Sequence, residues 1–167
     1  MKNRSMKPWV RRCFLLALAL LLFAGVLYAV HYISLDREFA SVEKYFGEET
    51  YSEIFALSDN SDKAEPILKL GRDAFSFAGS KDEAEARFGV LSRYRCTAAS
   101  QEFTLEHIVS DFDGDSGYVW VAYTVRGYAA DGALAYASGS EDGRVLSRWS
   151  VEKQNGAWIV TAIDEAP

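Results

Sequence analysis

His107 is the only histidine between residues 34 and 167, and acid–base chemistry asks for more than one such group. A general base works when an acid or a nucleophile is held within hydrogen-bond reach of it. The residues around His107 alternate, with apolar Leu105 and Val109 two positions to either side, so the imidazole is expected on the inner face of a strand. Asp111, Asp113 and Asp115 have the every-other-residue spacing of a calcium loop. An EF-hand loop also needs glycine at its sixth position and a bidentate glutamate at its twelfth. Here those positions hold Ser116 and Ala122. The run Asp113-Gly114-Asp115-Ser116-Gly117 reads instead as a hairpin turn, rich in residues that favour turn geometry. Cys96 is the one cysteine of this region, so no disulfide is expected within it and a buried free thiol is. No nucleophile or nucleotide-binding motif stands out. The expectation is a domain with no cofactor, no metal and no enzymatic activity.

An apolar block precedes that domain. Cys13–Ile33 holds 21 residues without a formal charge, His31 counted as neutral. As a helix it is about 31 Å long, close to the roughly 30 Å hydrocarbon thickness of a bilayer. Lys2, Arg4, Lys7, Arg11 and Arg12 stand before it with no acid among them, and Asp36, Arg37 and Glu38 follow it. This asymmetry predicts a cytoplasmic tail at residues 1–12, a single transmembrane helix at 13–33 and an extracytoplasmic domain at 34–167 in a cell membrane. Trp9 on one side, and Tyr28 and Tyr32 on the other, suit the two interfacial belts. The block is long for a signal-peptide core of about 7–15 residues, and Leu27-Tyr28-Ala29 is a poor cleavage pattern, so an uncleaved anchor is expected. All 24 acidic residues and 13 of the 18 basic ones lie in 34–167, leaving that part at −11. Such a charge repels phosphate backbones and excludes nucleic acid as a partner.

Residues 34–60 read as helical but broken at Gly47, with Phe39, Val42 and Phe46 on one face and a shorter apolar piece from Tyr51 to Leu57. Ser58 to Asp62 is a loop by composition. A second helix is predicted over about Lys63–Phe77, with Ile67, Leu70, Ala74 and Phe77 inward. Ser80-Lys81-Asp82-Glu83 is a capping box that opens a third, backed by Ala84, Phe88 and Leu91. From about residue 100 the period falls to two. A first strand around Phe103–Val109 is followed by a long aromatic one over Tyr118–Tyr128, then strands at Arg144–Lys153 and Ala157–Asp164. Asp131-Gly132, Asp142-Gly143 and Asn155-Gly156 mark hairpin turns. The last turn predicts a register. Gln154 pairs with Ala157, Lys153 with Trp158, Val151 with Val160 and Trp149 with Ala162. Trp149, Val151, Trp158 and Val160 then form the buried face. The other carries Arg148, Ser150, Glu152 and Thr161, with Ile159 and Ile163 as apolar exceptions. Those two isoleucines are the candidate partner surface, for another protein or a second copy. The alternative is that the N-terminal helices or the Asp131–Gly143 hairpin cover them. Trp120, Tyr118, Tyr123, Tyr128 and Tyr136 make the middle of the sheet aromatic, chiefly as core and cross-strand pairs.

Helices followed by an antiparallel meander make an α+β layout. The run Trp149-Ser-Val-Glu-Lys-Gln-Asn-Gly-Ala-Trp-Ile-Val-Thr-Ala-Ile163 resembles the terminal hairpin of nuclear transport factor 2-like (cystatin-like, SnoaL-like) domains. The resemblance is one of pattern and extends over the helices at 34–91 and the strands at 102–164. It implies a curved sheet wrapped around helices to form a cone, in a family where some members are enzymes and many only bind. Its enzymes use Tyr, Asp and His facing the cone interior, which makes Tyr45, Tyr94, Tyr123, His107 and Asp111 the pool of candidates here, with no motif to choose among them. The plan of a short cytoplasmic tail, one span and a domain of this type also resembles inner-membrane scaffold subunits of type IV secretion and conjugation systems. The expected function is a membrane-anchored binding or assembly module of a bacterial envelope, held to the lipid bilayer by its N-terminal helix. The alternatives are a small-molecule sensor or carrier using the cone pocket, and an isomerase- or dehydratase-type enzyme.

Overall fold

The computed structural model describes residues 8–39, 42–55, 60–138 and 144–165. It divides into two units, Met1–Ser41 and Val42–Pro167. Among the described residues the first unit is one helix, α1 (Pro8–Phe39). It extends beyond the apolar block at both ends, because no glycine or proline follows Ile33 before Phe39 to stop it. Its section Trp9–Arg37 is long and apolar enough to cross a membrane as an anchor or to act as a signal sequence.

The second unit begins with two single-turn helices, α2 (Glu43–Phe46) and α3 (Glu48–Tyr51), and a 3₁₀ turn over Ser52–Phe55. The break between α2 and α3 is at Gly47, whose φ of 77° is a left-handed value that β-carbon sterics disfavour in other residues. Phe39 closes α1 while Phe46 lies in α2, so the two do not share one helix as their spacing predicts. The helix expected at Lys63–Phe77 is α4 (Ser61–Phe75), two residues earlier at each end. It buries Ile67, Leu68, Gly71, Ala74 and Phe75, and Phe77 lies past its end against Phe88, with ring centroids 5.3 Å apart. The capping box forms as read. Ser80 Oγ accepts from the Glu83 N–H, and the Glu83 carboxylate accepts from the Ser80 N–H at 2.9 Å, opening α5 (Lys81–Phe88). A second 3₁₀ stretch, Gly89–Tyr94, buries Leu91 and Tyr94.

Five strands form one antiparallel sheet: β1 (Ser100–Asp113), β2 (Ser116–Tyr128), β3 (Leu134–Ser138), β4 (Val145–Gln154) and β5 (Ala157–Glu165). The order is β1-β2-β4-β5, and β3 pairs with the far end of β2 beyond β4. The architecture is thus α+β with an open sheet. Gly114-Asp115, Asp131-Gly132 and Asn155-Gly156 all turn the chain where expected. Asn155 and Gly156 have φ of 52° and 84°, as a primed two-residue hairpin turn requires. The expected turn at Asp142-Gly143, the loop residues Ser58 and Asp59, and the basic residues Lys2, Arg4 and Lys7 lie outside the described residues.

Two bulges revise the expected faces. In β1, Ile108 has no partner on β2, so His107 pairs with Val121 while Val109 pairs with Trp120. His107 and Val109 therefore point to opposite sides, against the simple alternation. In β5, Thr161 is the extra residue, so Trp149 faces Ile163 and Ala162 faces Ser150. The predicted pairs from Gln154–Ala157 to Val151–Val160 hold, and the predicted Trp149–Ala162 pair does not.

Both faces of the sheet are covered at its centre, which is why β2 is buried without alternation from Val119 to Tyr123. Under α4, α5 and the second 3₁₀ stretch lies the main core, with Ile67, Phe75, Leu91, Val119, Val121 and Trp149 among its members. On the opposite face Trp120 is fully buried beside Phe46 of α2, edge to face with ring centroids 5.1 Å apart. The cover expected over that second face comes in part from this unit's own residues 43–55.

Candidate functional site

Phe75 ends α4, Tyr94 ends the second 3₁₀ stretch, and Tyr123 projects from the middle of β2. Their rings converge. Phe75 stacks on Tyr94 with centroids 4.5 Å apart and planes 14° from parallel, and Tyr123 meets Tyr94 edge-on at 5.2 Å. Beside these rings, all of them buried, is an open cleft of about 310 Å³, walled by β1, β3 and the segment after the second 3₁₀ stretch. The volume is near the lower end of small-molecule sites.

The polar groups of the walls hold one another. Gln101 on β1 donates through Nε2 to the Phe75 carbonyl at 2.8 Å and to the Tyr94 carbonyl at 3.4 Å. Its Oε1 accepts from the Tyr136 hydroxyl of β3, which in turn accepts from the Thr97 N–H at 3.4 Å. On the other side the Tyr94 hydroxyl donates to Glu165 near the end of β5. It also lies 3.4 Å from Ser147 Oγ and accepts from the Trp149 indole N–H at 3.3 Å. The same indole donates to Ser147 at 2.9 Å, so this buried hydroxyl is satisfied as well. Arg93 completes the corner with an ion pair to Glu165 at 3.2 Å. Burial, first, and the negative charge of Glu165, second, push the hydroxyls of Tyr94 and Tyr123 far above the ordinary phenol range. Both therefore keep their protons at any physiological pH.

A second polar cluster lies on the opposite face of the sheet. Glu53 takes Arg148 in a two-oxygen grip, at 2.8 Å to Nε and 3.2 Å to Nη2, and accepts from the Trp120 indole at 3.0 Å. The guanidinium covers the Tyr118 ring at 5.1 Å. This cluster ties the N-terminal turn to β2 and β4.

Of the pool of candidates, Tyr94 and Tyr123 come together in the cleft and the other three do not. His107 Nε2 lies 3.1 Å from Ser110 Oγ and does not line the cleft. Tyr45 is half exposed on α2 with the Lys44 ammonium over its ring, and Asp111 caps its own strand end by accepting from the Phe112 N–H at 3.0 Å. Asp111, Asp113 and Asp115 form no metal-holding group, and among the described residues no other three His, Cys, Asp or Glu side chains do. Cys96 is a buried free thiol, as expected. Of the two candidate partner residues, Ile163 packs against the main core, while Ile159 pairs with Glu152 on the opposite face and is only partly buried.

Sequence reasoning missed Gln101, Ser147, Glu165, Arg93 and Arg95. Glu165 lies two residues beyond Ile163 and shares its face, but the bulge at Thr161 decides which face that is, and the sequence does not announce it. The others carry no local signal, because what makes them neighbours is pairing between residues far apart in the chain. Comparison of the chain with protein-family models, with characterised proteins and with solved structures found no match.

Proposed function

We propose that this protein is a membrane-anchored, extracytoplasmic binding module that takes a small ligand into the cleft above Phe75, Tyr94 and Tyr123 and performs no chemistry on it. The observation that carries this reading is the cleft itself, whose walls are fixed by hydroxyl and amide groups locked in mutual hydrogen bonds beside buried aromatic rings. Walls so held keep the shape of the cleft fixed before a ligand enters. Catalysis by proton transfer needs a group that titrates near the working pH. The two tyrosines are pushed away from that range, and the unit's one histidine lies elsewhere. The resemblance to nuclear transport factor 2-like domains, many of which only bind, favours a binding role over an enzymatic one. The uncharged block Cys13–Ile33 behind five basic residues supports an uncleaved anchor with the domain outside the cytoplasm.

The test is to purify the full chain from its native membrane in mild detergent and identify by mass spectrometry the small molecules released on denaturation. A Ser138→Trp variant, which fills the cleft from its rim, is treated in parallel. The wild type should carry a compound that the filled variant lacks. Identical profiles would sink the reading.

A second reading is a docking surface for another copy of this chain on the outer face of the β4–β5 hairpin. It rests on Ile159 alone, an apolar side chain only partly buried opposite Glu152, because Ile163 is committed to the core side.

A further inference from the structure

Residues 43–55 lie against Trp120 on the second face of the sheet, and little backbone structure holds them there. The segment is made of α2, α3 and the 3₁₀ turn over Ser52–Phe55. Isolated helices shorter than about 12–15 residues are marginal in water. Both α2 and α3 have 4 residues, neither has a side-chain cap on its first turn, and α2 has no buried residue. Their backbone hydrogen bonds are local, from Tyr45 and Phe46 to the Val42 carbonyl, from Gly47 to Glu43 and from Tyr51 to Gly47. Among the described residues none of these bonds reaches a strand. An open cleft of about 500 Å³ lies along the seam, lined by Tyr45, Phe46 and Thr50 of the segment and by Arg148, Ile163 and Asp164 of the last hairpin. The segment is therefore not packed flush against the sheet there.

The polar and ring contacts that tie it to the sheet converge on two side chains. Phe46 meets the Trp120 ring edge-on, and the Glu53 carboxylate accepts from both the Trp120 indole and the Arg148 guanidinium. Arg148 does not depend on Glu53 alone. It also donates to Ser150 at 3.3 Å, covers the Tyr118 ring and stands 3.9 Å from Asp164. Release of Glu53 leaves the guanidinium with these neighbours, so it avoids the full cost of stranding a buried charge. The other face is held differently, by a core in which Ile67, Phe75 and Trp149 are all fully buried. Proteins open in cooperative units below the global unfolding free energy where buried contacts are few. We propose that residues 43–55 are a strap that detaches from the sheet as one unit, uncovering Trp120 while the main core stays folded.

Trp120 and Trp149 test this within one molecule. Both are fully buried, on opposite faces of the sheet, and both indole N–H groups are bonded, the first to Glu53 and the second to Ser147 and Tyr94. The full chain, with heavy nitrogen in its indole rings, is placed in neutral detergent micelles, and exchange of the indole protons for deuterium is followed by NMR. The Trp120 proton should exchange about 100-fold faster than that of Trp149, because it needs only release of the strap. Ile67→Val, which weakens the main core alone, should speed Trp149 about fivefold and leave Trp120 unchanged. Glu53→Gln keeps an acceptor for the indole and removes the charge that Arg148 grips. It should speed both protons about tenfold, since the tie is absent from the released and the unfolded states alike. Equal rates for the two indoles in the wild type, or a Trp120 rate that rises with Ile67→Val, overturn the strap. A fast Trp120 that Glu53→Gln leaves unchanged means that the indole exchanges without release of residues 43–55, and overturns it as well.

Discussion

Trp149 stands opposite Ile163 across the last hairpin, one residue out of the register that the Asn155-Gly156 turn sets. The extra residue is Thr161, whose hydroxyl donates to the Ser150 carbonyl at 3.2 Å and anchors the bulge. Ile163 is thereby turned to the core and Ile159 is not. Ile163→Lys should therefore lower the stability of the unit by about 1–3 kcal/mol, the long side chain escaping part of the burial cost. Ile159→Lys should stay within about 0.5 kcal/mol of wild type. If the outer face of the hairpin docks a second copy, Ile159→Lys also shifts the full chain toward monomer in sedimentation velocity. An unchanged distribution removes the docking reading.

Glu53 and Arg148 are 95 residues apart and bind each other through two oxygens, each side chain only about one fifth exposed. Glu53→Ala leaves the guanidinium and the Trp120 indole N–H without their acceptor. A fully buried pair broken from one side costs about 3–5 kcal/mol, and partial exposure here lowers the expected loss to about 1–3 kcal/mol. Glu53→Gln should lose less, because an amide oxygen still accepts from Trp120. Thermal melts of the three chains order the effects, and an alanine variant as stable as wild type refutes the tie.

Gly71 is where α4 comes closest to the sheet. A β-carbon there would stand 2.6 Å from the Trp149 ring and 3.1 Å from Leu105. Alanine gains about 1 kcal/mol in a helix interior relative to glycine. Overpacking of this kind costs about 1–3 kcal/mol, so the clash should win and Gly71→Ala should melt lower. Pairing it with Trp149→Phe, which shrinks the ring, should show coupling between the two sites in a double-mutant cycle.

Tyr94 and Tyr123 give the unit an alkaline limit. Their folded-state pKa values lie above the unfolded value near 10, so the folded state holds protons that the unfolded chain releases. That stabilisation is complete below pH 10 and is lost as the pH rises further, at up to about 1.4 kcal/mol per pH unit for Tyr94. Phenolate absorbance followed from pH 9 to 13 should show these two of the nine tyrosines ionising late and together with loss of near-ultraviolet circular dichroism. Tyr94→Phe removes one of them and should flatten the decline. Smooth early titration of all nine would contradict the burial.

The orientation of the anchor is open to a direct assay. A phosphatase that is active only outside the cytoplasm, fused after Pro167, should report activity in intact cells. Replacing Lys2, Arg4, Lys7, Arg11 and Arg12 together by Gln should weaken that preference. Activity confined to a cytoplasmic reporter in the wild type would reverse the topology.

The elements of this protein were largely legible in its residues, because each rests on local causes. An uncharged stretch from Cys13 to Ile33 makes a long apolar helix wherever it occurs. Ser80 and Glu83 bond each other across one turn, and Asn155-Gly156 adopts the left-handed angles that reverse a hairpin. The α+β class follows from the change of period near residue 100. The faces were another matter. A bulge inserts one residue and flips every side chain beyond it, and nothing around Ile108 or Thr161 announces that the partner strand lacks a counterpart. Cross-strand packing decides this, since fully burying Trp149 and Trp120 on opposite faces sets which register closes both cores. The cleft depends on tertiary structure to the same degree. Phe75, Arg95, Gln101, Tyr123, Tyr136 and Glu165 come from separate elements, and only the order of the strands and the docking of α4 and the second 3₁₀ stretch on the sheet bring them to one place.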